Sequence, residues 1–147
     1  MKRRLFIQAA VGASVAMPLL AMAAAPVIEI FKTESCACCG AWVEHLKANG
    51  FETRVTTVEN PSDYRERGGI PDALGSCHTG MVQGYAIEGH VPAGDIKRLL
   101  ATRPKARGLA VPGMPLGSPG MEGPRKDPFD VLLVDAKGRS SVFKHYN

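Results

Sequence analysis

The sequence lacks the excess of basic charge that a nucleic-acid partner demands. Its 147 residues carry a formal net charge of +4, but three of the positives are Lys2, Arg3 and Arg4. The remainder holds 15 basic against 14 acidic residues, a net of +1. Those charges are scattered singly, as on a solvated surface, so no nucleic acid is expected as partner. There is no internal repeat and no heptad pattern, which excludes solenoids and coiled coils. Separated C-x-x-C pairs and the Cys/His spacing that zinc sites use are also missing. The one long apolar run, about Leu5 to Met22, is interrupted by Pro18 and stands at the short end of a bilayer span, so no stable membrane insertion is expected of the mature chain.

That run has instead the order of a secretory signal: Lys2-Arg3-Arg4, then apolar residues, then the small-residue site Ala21-Met22-Ala23. A cleaved signal peptide over residues 1–23 is predicted, and with it an exported, periplasmic protein. Paired arginines before Leu5-Phe6-Ile7 fit the twin-arginine signal as well as ordinary secretion. Residues 24–147 then suit one domain with a modest core.

Val27, Ile28, Ile30 and Phe31 form a short apolar run that reads as a buried strand leading into a cysteine cluster. Trp42, Val43 and Leu46 fall at helical spacing, and Asn49-Gly50 stops that helix. A strand over Glu52 to Val58 and a short helix near Tyr64 follow. Residues 75 to 90 predict one or two short strands around Gly84. Pro92 to Arg103 predicts a helix, with Ile96, Leu99 and Leu100 on one face and Pro104 blocking its continuation. Residues 108 to 124 hold five glycines and four prolines, which predicts an irregular loop. Phe129 to Val134, a turn at Asp135 to Gly138, and Ser140 to Tyr146 read as a β-hairpin. The class is α/β, with helices flanking a central mixed sheet.

Three of the four cysteines lie within four residues, Cys36-Ala37-Cys38-Cys39, and the fourth, Cys77, adjoins His78. In an oxidising envelope four cysteines allow three disulfide pairings. Adjacent Cys38 and Cys39 would make a strained bridge, so the oxidised form joins Cys36 to Cys39. Thiols at a helix start face free N–H groups, which lowers their pKa and makes thiolates available. Soft sulfur ligands select Cu(I) or zinc. Adjacent cysteines converge poorly on one tetrahedral ion but can bridge several Cu(I) ions, so a multinuclear copper site is the reading favoured over zinc.

Further donors are expected from His78, His90, Met114 and Met121. His78 adjoins Cys77, and an imidazole suits both copper states. His90 either joins the site, caps the following helix or merely faces water. Met114 and Met121 sit in the Gly/Pro loop, where no core explains them, and a lid over the metal would. His45 and His145 read as surface residues, Met81 as a packed strand residue, and Trp42 and Val43 as core.

Four motifs together carry a family resemblance: Cys36-Ala37-Cys38-Cys39-Gly40 with Trp42, Ser76-Cys77-His78-Thr79, Glu88-Gly89-His90-Val91-Pro92-Ala93, and Gly108-Leu109-Ala110-Val111-Pro112-Gly113-Met114-Pro115. Over about Val27 to Tyr146 the chain resembles the periplasmic copper-resistance CopG family, which is distinct from the ribbon-helix-helix repressors of that name. The resemblance implies a thioredoxin-like fold, a copper site on the C-x-C-C cysteines, a role in copper resistance alongside other periplasmic copper-handling proteins, and a change in copper's oxidation state. The competing function is a thiol-disulfide oxidoreductase using Cys36 and Cys39. Cys38 separates the two, because a copper cluster can use it as a bridge and an exchange pair has no need of it.

Overall fold

Alternation decides the first strand. In the computed structural model, which describes residues 24–147, Ile28 and Ile30 of β1 (Val27–Lys32) are fully buried on one face. Phe31 points the other way and stacks on Tyr64 with ring centroids 3.7 Å apart. The expected signal peptide lies outside the described residues. The chain continues with α1 (Ala37–Ala48), β2 (Glu52–Thr57), α2 (Ser62–Arg67), a 3-10 turn at Asp72–Leu74, β3 (His78–Val82) and β4 (Tyr85–Glu88). After these come α3 (Ala93–Thr102), β5 (Ala106–Ala110), β6 (Phe129–Asp135) and β7 (Ser140–Tyr146).

The strands form one mixed sheet in the order β2-β1-β3-β4-β5-β6-β7. Two pairs are parallel, β1 with β2 and β4 with β5, and the others antiparallel. Each parallel pair is joined by a helix, α1 or α3, because a parallel connection has to cross over. Trp42, Val43 and Leu46 of α1 and Ile96 and Leu99 of α3 pack with Ile28, Ile30, Ile87, Leu109 and Val131 in the main core. Each fully buried Ile or Leu side chain there contributes roughly 1.5–3 kcal/mol. A smaller cluster, Ile70, Ala86, Ala110 and Val134, has Leu74 and Met81 packed against it. The α/β class, the mixed sheet, the flanking helices and the C-terminal hairpin are thus present.

One element departs from the sequence reading. Residues 108–110, expected in the irregular loop, belong to β5. The neighbouring glycines and prolines mask a strand whose Gly108 is required by close approach: a Cβ there would run into the Ala86 carbonyl of the adjoining strand. Among the described residues no helix is long and apolar enough to cross a membrane.

Candidate metal centre

Cys36 is the N-cap of α1, and Cys38 and Cys39 lie in its first turn. One helical turn brings Cys36 and Cys39 to a Cα separation of 5.5 Å, and the two are joined as a disulfide. Cys38 and Cys77 are free thiols. Cys38 Sγ lies 3.6 Å from Cys36 Sγ, and Cys77 Sγ lies 3.7 Å from Cys39 Sγ. All four sulfurs fall within 4.8 Å of one another.

The β3–β4 hairpin supplies the second half of the site. Its register pairs Thr79 with Glu88, and the Gly89 N–H donates to the His78 carbonyl, so Cys77 and His78 run alongside Gly89 and His90. Cys77 Sγ lies 3.3 Å from His78 Nδ1 and 3.2 Å from His90 Nε2. Cys77, His78 and His90 therefore form a second potential ligand group that shares Cys77 with the four sulfurs. His90 Nδ1 stands 2.8 Å from the Pro119 carbonyl. A carbonyl only accepts, so Nδ1 carries the proton and the Nε2 lone pair faces Cys77. His78 is fully buried against Trp42, ring centroids 4.3 Å apart, and its Nε2 has no hydrogen-bond partner. Trp42 donates its indole N–H to the Val91 carbonyl at 2.9 Å.

Burial sets the protonation of these groups. It drives the His78 pKa down to about 3, helped by the neighbouring His90, and lowers His90 as well. Both imidazoles are neutral near pH 7, the form in which nitrogen can ligate. Cys77 stands just before β3, away from the start of α1, and has no helix dipole to favour its thiolate. Burial, with the charge of Cys38 next, pushes its thiol up to about 12, so an incoming metal has to displace a proton there.

The Gly/Pro loop is laid down as a strap with its own packing, although no core contact was expected of it. The Gly113 N–H donates to the Gly75 carbonyl at 3.1 Å, and the Ser76 hydroxyl donates to the Gly113 carbonyl. Met114 Sδ then comes to 3.9 Å from Cys38 Sγ. Ser118 is fully buried and donates to the Pro115 carbonyl. Gly120, at φ 86°, lies directly on α1: a Cβ there would come to 2.7 Å from the Trp42 nitrogen. Met121 is held by backbone bonds to Gly117 and Ser118, and no sulfur contact of the Met114 kind joins it to the cluster. Hence Cys36, Cys38, Cys39, Cys77, His78, His90 and Met114 are brought together.

The two remaining histidines differ in exposure. His145 is exposed and bonded to Asp130 at 2.6 Å. His45 is half-buried, and its Nε2 accepts the Ala93 N–H at 3.0 Å, satisfying a free donor at the start of α3. Sequence reasoning also assigned no role to Glu88. Its buried carboxylate accepts hydrogen bonds from the Ser76 N–H and the Thr79 hydroxyl, both at 2.7 Å. Nothing in the sequence marked it, since an isolated Glu before Gly-His reads as surface. The donors that do converge are soft sulfurs and neutral imidazoles, a set that fits copper.

Fold and site together define a mixed α/β protein with a sulfur-rich group of side chains that could hold metal. A family model described as "Protein of unknown function, DUF411" matches residues 74–121, the stretch from the Cys77 segment to the strap. Two solved structures described as copper resistance protein copG are similar over nearly their whole length. The form 2 structure has a TM-score of 0.80 at 43% identity, covering 84% of this chain and 99% of that one. The form 1 structure has a TM-score of 0.77 at 44% identity, covering 82% and 96%. A comparison with curated proteins gave no match. The chain belongs to the CopG copper-resistance family.

Proposed function

We propose that this protein is exported, loses residues 1–23 as a signal peptide, and handles copper in the periplasm as part of copper resistance. In this reading residues 24–147 form one thioredoxin-like domain. Reduced Cys36, Cys38, Cys39 and Cys77 bind several Cu(I) ions through bridging thiolates, with His78, His90 and Met114 as further donors. The observation that carries the reading is the convergence of four sulfurs within 4.8 Å beside two neutral imidazoles. Opening the Cys36–Cys39 disulfide takes two electrons and two protons from a thiol donor, so the all-sulfur set is complete only in the reduced protein. Imidazole nitrogen tolerates both copper states where thiolate alone favours Cu(I), which supports a change in copper's oxidation state at this site.

The disulfide itself favours a second reading, a thiol-disulfide oxidoreductase using Cys36 and Cys39. An anaerobic Cu(I) titration separates the two. The reduced protein is expected to take up more than one Cu(I) per chain and the oxidised protein fewer. Cys38→Ser should lower the stoichiometry while leaving exchange of the Cys36–Cys39 pair with glutathione intact. Undiminished copper stoichiometry and affinity in Cys38→Ser would remove the bridging-thiolate reading and leave the oxidoreductase.

A further inference from the structure

We propose that Glu88 is the positioning residue of the metal centre, a buried clasp that holds the Ser76–Thr79 segment at both ends and so sets where Cys77 and His78 present their donor atoms. The proposal rests on the copper reading above for its purpose, and on hydrogen-bond geometry for its substance.

The carboxylate is 1% exposed. Oε1 accepts the Ser76 N–H and Oε2 accepts the Thr79 hydroxyl, both at 2.7 Å, and the two donor residues Cys77 and His78 lie between these anchors. Such an anchor is needed because β3 begins at His78. Cys77 lies beyond the sheet ladder, and the bond to the Ser76 N–H carries order two residues past the strand end. The same segment also holds the strap: Ser76 donates to the Gly113 carbonyl, adjacent to Met114, and Gly75 accepts the Gly113 N–H. One carboxylate thus governs donors from two separate parts of the chain.

Arg65 keeps that carboxylate from being an unpaired buried charge. Its side chain is 10% exposed, with Nη1 3.6 Å from Glu88 Oε1 and Nη2 2.8 Å from Asp72. Replacing a buried ion pair by apolar residues of the same shape is often neutral for stability, so in this proposal the Arg65–Glu88 pair serves geometry. Cys77 Sγ sits within 3.7 Å of Cys39 Sγ and within 3.3 Å of both imidazoles, so a shift of about 1 Å in residue 77 would take the site outside productive ligand geometry.

The test uses Glu88→Gln, which keeps the size of the side chain but removes its charge and one acceptor oxygen. Thr79→Val serves as a second variant that cuts one arm of the clasp without touching the ion pair. Cu(I) affinity is measured anaerobically by competition with bicinchoninate, alongside thermal unfolding. Glu88→Gln should weaken Cu(I) binding by about 10- to 100-fold, the usual effect of losing a group that orients a ligand, and Thr79→Val by less. In a Cys77→Ser/His78→Ala background Glu88→Gln should cost no further affinity while lowering thermal stability as before. A metal-free measurement runs in parallel: in Cys38→Ser with the Cys36–Cys39 disulfide closed, Cys77 is the single free thiol, and Glu88→Gln should speed its alkylation by iodoacetamide several-fold in the folded protein. Unchanged affinity and unchanged alkylation would overturn the clasp, as would an affinity loss that persists in full without Cys77 and His78. Absence of Cu(I) binding by the unsubstituted protein would instead sink the copper reading, and the alkylation rate would then decide the clasp alone.

Discussion

Gly120→Ala probes the strap where it touches α1. At φ 86° an alanine takes up left-handed strain of about 1–2 kcal/mol. Its Cβ would stand 2.7 Å from the Trp42 nitrogen and 2.9 Å from the Cys38 carbonyl, backbone atoms of the helix that carries the cysteines. Helix backbone cannot rotate away as a side-chain tip can, so overpacking adds roughly 1–3 kcal/mol. The total, about 2–5 kcal/mol, corresponds to a fall in Tm of roughly 8–20 °C for a domain of this size. The strap can relieve part of that by lifting off α1, at the cost of the Pro119 carbonyl that accepts from His90 Nδ1. Calorimetry of the apo protein reads the first outcome, and Cu(I) competition reads the second through a loosened His90. A variant whose Tm stays within about 2 °C of the parent and whose Cu(I) affinity is unchanged would refute the packing argument, since the strap would then have no fixed seat on the helix.

Three further outcomes follow from particular contacts. Tyr146→Phe removes the 2.6 Å hydrogen bond to Asp95, which is 2% exposed, and should cost about 1–3 kcal/mol in urea unfolding; an unchanged midpoint would mean that water replaces the hydroxyl. His145 has its pKa raised above 6.5, first by its hydrogen bond to Asp130, so its contribution to stability is full below the unfolded value near 6.5 and is lost as pH rises through the folded value. Asp130→Asn should return the ring's NMR titration midpoint toward 6.5, and a parent protein titrating at 6.5 already would contradict the pairing. His45→Ala leaves the Ala93 N–H at the start of α3 without its acceptor and should cost about 0.5–2 kcal/mol, read by hydrogen exchange in the first turn of α3; unaltered exchange there would show that the cap is dispensable.

Much of the fold was legible because its signals are local. The periods of β1, α1 and α3, the Asn49-Gly50 stop and the hairpin turn at Asp135 depend on neighbours in sequence, and each element stands within a residue or two of its expected place. β5 was hidden because its case rests on a partner strand: Gly108 is there to let Ala86 approach, and from sequence alone a glycine among prolines reads as loop. His45 was misjudged for a similar reason, since its acceptor role toward α3 exists only once two helices lie side by side.

The sequence by itself determined which donor atoms are on offer. Three cysteines within four residues offer soft sulfur, and softness needs no fold. Only tertiary structure decided which distant groups complete the set. The β3–β4 register carries Cys77 and His78 beside His90, the strap brings in Met114, and Glu88 is buried where it can bind residues 76 and 79 together. Burial then reset the acid–base behaviour of Cys77 and both imidazoles. Ligand softness is a property of an atom, whereas proximity and desolvation are properties of the packed chain, and packing is set by contacts between residues far apart in sequence.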